Sequence, residues 1–177
     1  KFAAHGIDGV TLRDLAMAMG VSPMTPYRYF KDKDAILAAV RTRAFNRFAE
    51  AMEKAEANAR KKSGGQPGEP YIDFALKNPA AYRMIFDTNQ PTSFDYPDLV
   101  AAMKRAKDTM TSGWKTLKEQ GRFKGDVELA GHVHWSVMHG AVMLELTGLL
   151  KKPLDARSIA RRAIAAVAKD LDVKPRD

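Results

Sequence analysis

Residues 11–37 of this chain, TLRDLAMAMGVSPMTPYRYFKDKDAIL, carry its most informative pattern. The segment opens with a predicted short helix, because Thr11 can act as N-cap and Asp14 completes a capping box. Apolar side chains then recur at i, i+3, i+4 and i+7 along one stripe. Gly20 stands where the chain must turn, often through a positive φ. The pattern predicts a helix, a tight turn and a second helix.

The second helix of this unit has two possible starting points. Ser22 offers an N-cap, and Pro23 needs no backbone donor at a first helical position. Pro26 would lack the bond to Ser22 as a fourth helical residue, so the helix could instead begin with Thr25 as N-cap. In a helix-turn-helix the second helix enters the DNA major groove. This one offers a hydroxyl, two phenols and a guanidinium, which can bind phosphates and bases.

The wider segment closely resembles the DNA-binding domain of the TetR family of bacterial transcriptional regulators. The matching residues are Gly20, Val21, Ser22, Tyr27, Phe30, Lys33 and Leu37. The resemblance covers residues 1 to about 48 and departs at Pro26, where the family usually carries an aliphatic residue. We expect the side chains on and beside the second helix to contact double-stranded DNA, namely Thr11, Thr25, Pro26, Tyr27, Arg28, Tyr29 and Lys33.

The composition agrees with this resemblance. The chain of 177 residues has a formal net charge of +8, which favours an anionic partner. Eight Lys/Arg and four Asp/Glu fall within residues 1–47, so about half of the excess lies in a quarter of the chain. There is no cysteine, which excludes disulfides and cysteine–zinc modules, and no run of 18 apolar residues that would span a membrane.

The rest of the chain is predicted to be helical, because apolar residues keep helical spacing and no stretch shows sustained β alternation. Predicted helices cover 33 to about 61, a restart at Asn78-Pro79, 98–120, 126 to about 150 and 155 to about 171. A linker is predicted over 63–70. The expected fold is all-α, with a three-helix head over 1–48, whose first helix is truncated, and a helical bundle over 49–177.

One segment of the bundle, GHVHWSVMHGAVMLELTGLL at 131–150, also resembles a TetR subgroup. Trp135, His139 and Gly140 match the Trp–His–Gly signature of that subgroup's C-terminal domain. His132 lies on the same predicted helix face as Trp135 and His139, and Gly140 would permit close approach of another helix. An alternative remains open, in which Trp135 and His139 are packing residues with one hydrogen bond each.

Catalysis and metal binding are not expected. His132 and His134 are two positions apart and point in different directions on a helix, while a zinc site needs three or four converging ligands. There is no cysteine, no GxSxG and no pair of carboxylates near a histidine. We therefore expect no cofactor and no enzymatic activity.

The resemblance implies a cytoplasmic, homodimeric regulator, most simply a repressor that a small apolar effector releases from a palindromic operator. We expect effector contacts from large soft or aromatic side chains, namely Tyr82, Phe86, Met103, Met110, Trp114, Trp135 and His139. We expect dimer contacts on the last two helices, from Gly140, Leu144, Ile159, Ala163 and Val167.

Two other classes of protein share parts of this pattern. A helical enzyme or small-molecule carrier could contain an incidental helix-turn-helix-like pair. Such a protein would lack salt-sensitive duplex binding, and its own ligand binding would survive Arg28→Ala. A LacI-type regulator begins with similar residues, but it would need a larger α/β body than this chain provides.

Overall fold

The computed structural model describes residues 9–62, 68–86 and 96–174, which form seven α-helices, one 3₁₀ turn and no strand. The helices are α1 (Leu12–Ala18), α2 (Lys33–Lys62), α3 (Glu69–Lys77), α4 (Pro79–Phe86), α5 (Pro97–Glu119), α6 (Val127–Leu146) and α7 (Ala156–Asp170). The predicted all-α class is confirmed. The truncated first helix predicted before Gly9 lies outside the described residues.

The described residues form two compact units. One comprises Lys1–Arg47 with Asn78–Arg105, and the other Phe48–Lys77 with Ala106–Asp177. Both α2 and α5 contribute residues to each unit. The chain first passes between units next to the predicted head–body boundary at 48/49, but residues 78–105 group with the first unit. The functional division into 1–48 and 49–177 stays a prediction.

The first unit is built on a capped helix and a glycine turn. The Thr11 hydroxyl accepts from the Asp14 amide at 3.1 Å, and Asp14 Oδ2 accepts from the Thr11 amide at 2.9 Å. This is the predicted capping box, and it satisfies orphan donors at the start of α1. Gly20 has φ +67°, which explains why glycine stands at the turn. The turn lets the Val21 amide donate back to the Ala16 carbonyl at 3.0 Å.

The second unit has an aromatic core. Phe48 makes edge-to-face contacts with Tyr71 and Phe74, at ring-centroid distances of 5.5 and 5.2 Å. Trp114 packs at 5.1 Å against Phe123, which lies in the connection between α5 and α6. Such edge-on pairs contribute roughly 0.5–1.5 kcal/mol beyond their buried area. The first set of contacts joins α2 to α3, and the second joins α5 to the connection that follows it.

Charged side chains join α3 to α7. The Arg157 guanidinium pairs with Asp73 and, at 3.0 Å, with Glu69, while Arg161 lies 3.2 Å from Glu69. Hydrogen bonds from Lys77 and from Arg157 hold the pKa of the Asp73 carboxyl below its usual value. All of these side chains are more than a third exposed. Each such partly solvated ion pair contributes at most about 1 kcal/mol to stability.

Several predicted boundaries need correction. The helix predicted to reach 150 ends at Leu146, because the chain turns at Gly148 with φ +73°. The residues after it therefore lie in the connection to α7, which starts after a second capping box made by Asp155 and Ser158. The predicted linker over 63–70 is also too long, since Glu69 and the residue after it belong to α3.

Two helices approach each other closely at a glycine for which no role was predicted. At Gly131 on α6 an added Cβ would lie 2.9 Å from Thr111 Cγ2 and 3.3 Å from the Met110 carbonyl oxygen on α5. At Gly140 an added Cβ would meet nothing within 4 Å among the atoms of this chain. Within one protomer, close packing of α6 thus requires glycine at Gly131 and leaves Gly140 open.

We predict that Gly131→Ala destabilises the protein by roughly 1 kcal/mol or more, because overpacking of a tight contact typically costs about 1–3 kcal/mol. Gly113→Ala is the matched control, since an added Cβ there meets nothing within 4 Å and Gly113 lies inside α5. Replacing glycine by alanine in an open helical position stabilises by roughly 0.5–1 kcal/mol. Urea unfolding of both variants measures the difference, and equal effects would contradict the close contact.

Candidate nucleic-acid interface

The segment after the glycine turn forms a 3₁₀ turn, Pro26–Arg28, and not a longer α-helix. The Thr25 amide donates to the Ser22 carbonyl at 2.9 Å, and the Arg28 amide donates to the Thr25 carbonyl at 3.2 Å. Prolines at two of the positions 23–26 remove two backbone donors, which weakens any regular helix there. The prediction that the second helix starts at Pro23 is wrong. The later start at Pro26 is confirmed, although Thr25 makes no side-chain capping bond.

Pro26 is the buried anchor of this segment. Its carbonyl accepts from the amides of Tyr29 and Phe30, at 3.1 and 3.0 Å, which closes the turn. The prediction that Pro26 contacts DNA is therefore wrong for its side chain, because the ring is packed inside the first unit. The proline replaces the usual aliphatic residue as a packing group.

The residues around this anchor are open to solvent. Tyr27 is 52% exposed and Tyr29 75% exposed, and Arg28 between them is exposed as well. Met24 is 66% exposed in the same segment, and the sequence analysis quoted no role for it. An exposed methionine beside phenols and a guanidinium gives apolar and polar groups for base edges, including the thymine methyl.

The start of α2 adds positive charge next to the turn. Asp32 Oδ1 accepts from the Ala35 amide at 2.7 Å, so this carboxylate serves as the cap of α2. Lys33 is the first residue of α2 and is half-buried. Lys31 is exposed and lies 5.4 Å above the ring of Tyr96. Between residues 22 and 33, Asp32 is the only acid, so the exposed edge is cationic.

The remaining predicted DNA residues are less available. The Thr11 hydroxyl donates to Asp14 at 2.6 Å, although the residue is exposed. Thr25 is half-buried. The edge formed by Met24, Tyr27, Arg28, Tyr29, Lys31 and Lys33 is called the basic–aromatic edge below.

The predicted effector residues fall in both units. Tyr82, Phe86 and Met103 belong to the first unit, and Met110, Trp114, Trp135 and His139 belong to the second. Within the first unit the rings of Tyr82 and Phe86 lie 4.7 Å apart.

Within the second unit, Trp135 has a defined partner. Its indole Nε1 donates to the hydroxyl of buried Tyr71 at 3.0 Å. His139 is half-buried, and burial lowers the pKa of its imidazole, so the ring is neutral at pH 7. A hydrogen-bonded Trp135 fits both the effector-contact prediction and the packing alternative, and Trp114 is a core residue of the cluster with Phe123.

The two nearby histidines differ in their surroundings. His132 is exposed and its Nδ1 lies 2.7 Å from the Glu128 carbonyl oxygen. His134 is half-buried against Trp114 at 6.0 Å, and burial lowers its pKa. Its Nε2 is buried without a hydrogen-bond partner in the described part of the chain. In the ranges 9–62, 68–86 and 96–174, no three His, Cys, Asp or Glu side chains converge as metal ligands.

No helix in the three described ranges combines the length and the apolar composition that crossing a membrane requires.

Solved structures with the same fold include several regulators. A protein of unknown function from Rhodococcus sp. RHA1 is 22% identical, with a TM-score of 0.79 over 97% of this chain and 89% of that chain. PfmR, a TetR family transcriptional regulator from Thermus thermophilus, is 21% identical, with a TM-score of 0.66 over 99% and 94%. SmeT, the repressor of the Stenotrophomonas maltophilia multidrug efflux pump SmeDEF, is 16% identical, with a TM-score of 0.68 over 98% and 85%.

Family comparisons cover most of the sequence. Residues 2–40 match the family described as bacterial regulatory proteins, tetR family, and residues 66–167 match the tetracyclin repressor-like C-terminal domain. A comparison with curated proteins gives no match. The Trp–His–Gly subgroup stays a prediction. The chain belongs to the TetR family of bacterial regulatory proteins, which are ligand-responsive, DNA-binding transcriptional regulators.

Proposed function

We propose that two copies of this chain bind a near-palindromic DNA site through the basic–aromatic edge and act as a repressor that a small apolar effector releases. The observation that carries the DNA part is the contrast between buried Pro26 and its exposed neighbours Tyr27, Arg28 and Tyr29. Because Pro26 is packed in the core, the backbone of this segment is fixed. The exposed side chains would therefore lose little conformational freedom when they enter a DNA groove. Preorganisation of this kind lowers the entropic cost of binding.

The groups on the edge divide by their chemistry. Arg28 can form a bidentate pair with guanine in the major groove, which is worth about 1–3 kcal/mol of discrimination. Lys33 is the first residue of the 30-residue α2, and its ammonium can pair with a phosphate beside the turn. We therefore assign base recognition to Arg28 and phosphate binding to Lys33.

We predict that Arg28→Ala costs roughly 1–3 kcal/mol of operator affinity and relaxes the preference at one base pair. Lys33→Ala should weaken all sequences alike and reduce the slope of log K against log salt by about one per protomer. Lys115→Ala, which removes an exposed lysine from the second unit, is the charge-matched control. Gel shifts against the DNA upstream of the gene, at several salt concentrations, measure these effects.

If Arg28→Ala and Lys33→Ala bind as tightly as the control, the DNA contacts lie elsewhere. If the unaltered protein shows no salt-dependent duplex binding, the helical enzyme or carrier becomes the better description.

The proposed dimer rests on an apolar stripe along α6. Exposed apolar residues fall on one face of α6, with Leu129 62% exposed, Val133 37% exposed and Leu144 41% exposed. Gly140 lies on the same stripe, and open space surrounds its Cα. On α7 the predicted contacts Ile159, Ala163 and Val167 are half-buried at four-residue spacing. A stripe of this kind on a 20-residue helix suits a self-complementary two-fold interface.

We predict that Leu144→Glu produces monomers and abolishes high-affinity operator binding, because an unpaired charge would be buried between protomers. The residue is exposed within the protomer, so helicity should be unchanged. Val100→Glu is the control, since Val100 is 44% exposed on α5 in the first unit. Analytical ultracentrifugation measures the oligomeric state. A Leu144→Glu variant that still sediments as a dimer would move the interface off this stripe.

For the effector, we propose contacts within the second unit from Met110, Trp135 and His139. Met110, Trp135 and His139 are half-buried, so each has surface that a ligand could cover. Trp114 supports the site from the core, because it is only 8% exposed. The effector contacts predicted for Tyr82, Phe86 and Met103 remain predictions.

We predict that a compound able to release DNA also changes tryptophan emission, and that Trp135→Phe and His139→Ala raise the concentration needed for release. Tyr71→Phe is the control for packing, because it removes only the hydroxyl that accepts from Trp135 Nε1. If Trp135 is a packing residue, Trp135→Phe and Tyr71→Phe would both lower the melting temperature and leave the releasing concentration unchanged. That result would contradict the proposed effector contacts.

A further inference from the structure

A cavity of about 520 Å³ lies inside the first unit, separate from every residue assigned to the effector above. Its walls come from α1, the segment 21–30, α2 and α4. Leu15 and Met19 contribute from α1, Val40 and Arg43 from α2, and Met84 from α4. This volume falls in the range of natural small-molecule sites, which run from about 300 to 1,000 Å³.

The cavity is lined mainly by apolar side chains, and three of them are exposed. Met19 is 71% exposed, Tyr29 75% and Val40 37%. Apolar side-chain surface that stays in contact with water is unfavourable in proportion to its area. A ligand with an apolar body would remove that surface from water.

The charged groups on the cavity wall are both arginines. Arg43 and Arg47 line it, and among the described residues no aspartate or glutamate does. The Arg47 guanidinium is already engaged, because its Nη2 donates to Asn78 Oδ1 at 2.8 Å. Within the described ranges, no acidic side chain lies within ion-pairing distance of Arg43, which is exposed. Because the Asn78 amide is neutral, Arg47 keeps its charge as well, and two cations beside an apolar cavity favour an anionic ligand.

We propose that this cavity binds a small apolar carboxylate, with its hydrocarbon among Leu15, Met19, Val40 and Met84 and its carboxylate paired with Arg43. Arginine suits this role, because its planar guanidinium can hold both carboxylate oxygens. The ligand would occupy the unit that carries the basic–aromatic edge, and it would not need the contacts assigned to the effector in the second unit.

Tyr29 connects this cavity with the proposed DNA contacts. Its side chain belongs to the basic–aromatic edge and also lines the cavity. A bound carboxylate that packs on the Tyr29 ring would withdraw it from DNA, so the ligand and the operator would oppose each other's binding. This coupling, unlike the binding itself, rests on the proposed DNA contacts, and by linkage it must be reciprocal.

Octanoate is a suitable probe, with 1-octanol as the neutral compound of equal chain length. We expect calorimetry on the full chain without DNA to show octanoate binding more tightly than octanol. Arg43→Gln should weaken octanoate binding roughly tenfold and leave octanol unchanged, as for loss of one charge-assisted pair. Arg43→Lys should restore part of the affinity. Arg83→Gln is the control, because Arg83 is exposed on α4 in the same unit and does not line the cavity.

Methionine methyl groups locate the ligand independently. Met19 and Met84 line the cavity, whereas Met110 and Met138 belong to the second unit. Octanoate should shift the ¹³C-methyl NMR signals of Met19 and Met84 and leave those of Met110 and Met138 in place. Ala81→Phe, which adds volume to the cavity wall, should remove both the shifts and the calorimetric signal in a protein of unchanged helicity.

Three results would overturn the proposal. The first is an absence of octanoate binding at millimolar concentration, and the second is equal affinity for octanoate and octanol. The third is an equal effect of Arg43→Gln and Arg83→Gln on octanoate affinity. Shifts confined to Met110 and Met138 would also overturn it, since they would place octanoate in the second unit. These measurements use no DNA, so a failure of the DNA-binding proposal leaves their outcome unaffected, and gel shifts with octanoate then test the coupling alone.

Discussion

The structure of the first unit depends on the burial of Pro26 behind a glycine turn. Gly20 reverses the chain at a positive φ, and the turn that follows places the proline ring in the core. Because the proline is held inside, Tyr27, Arg28 and Tyr29 are left outside. The same constraint shortens the regular structure to one 3₁₀ turn, since proline cannot donate a backbone hydrogen bond. Exposure of the basic–aromatic edge is thus a consequence of packing, and charge alone would not have produced it.

In the second unit, α6 packs against α7 and α3, and it approaches α5 closely at Gly131. The face of α6 that carries Leu129 and Leu144 stays exposed within the protomer. A helix with apolar residues on two sides is typical of a chain that buries one side within the protomer and the other against a partner. The proposed dimer and the internal packing of the unit therefore use different sides of a single helix.

Two kinds of small-molecule response are compatible with this arrangement. An effector in the second unit must act through a change that reaches the DNA-binding edge, and its influence is limited by its differential affinity for the two states. A carboxylate in the cavity of the first unit would meet Tyr29 directly. In the proposed sites, Arg43 would favour an anionic ligand in the first unit. Trp135 and half-buried His139, whose pKa is lowered by burial, would favour an uncharged ligand in the second unit.

The sequence by itself determined the elements whose signals are local. Capping at Thr11, the turn at Gly20 and the start of α2 at Lys33 each depend on residues within four positions, and all were predicted. The tertiary structure decided what depends on residues distant in sequence. Pro26 proved to be a packing group, Gly131 and not Gly140 lies at the close approach within the protomer, and the cavity beside Arg43 is built from segments more than 60 residues apart in the chain. Helical periodicity predicts which residues share one face of a helix. Which element packs against that face is determined only by the tertiary structure.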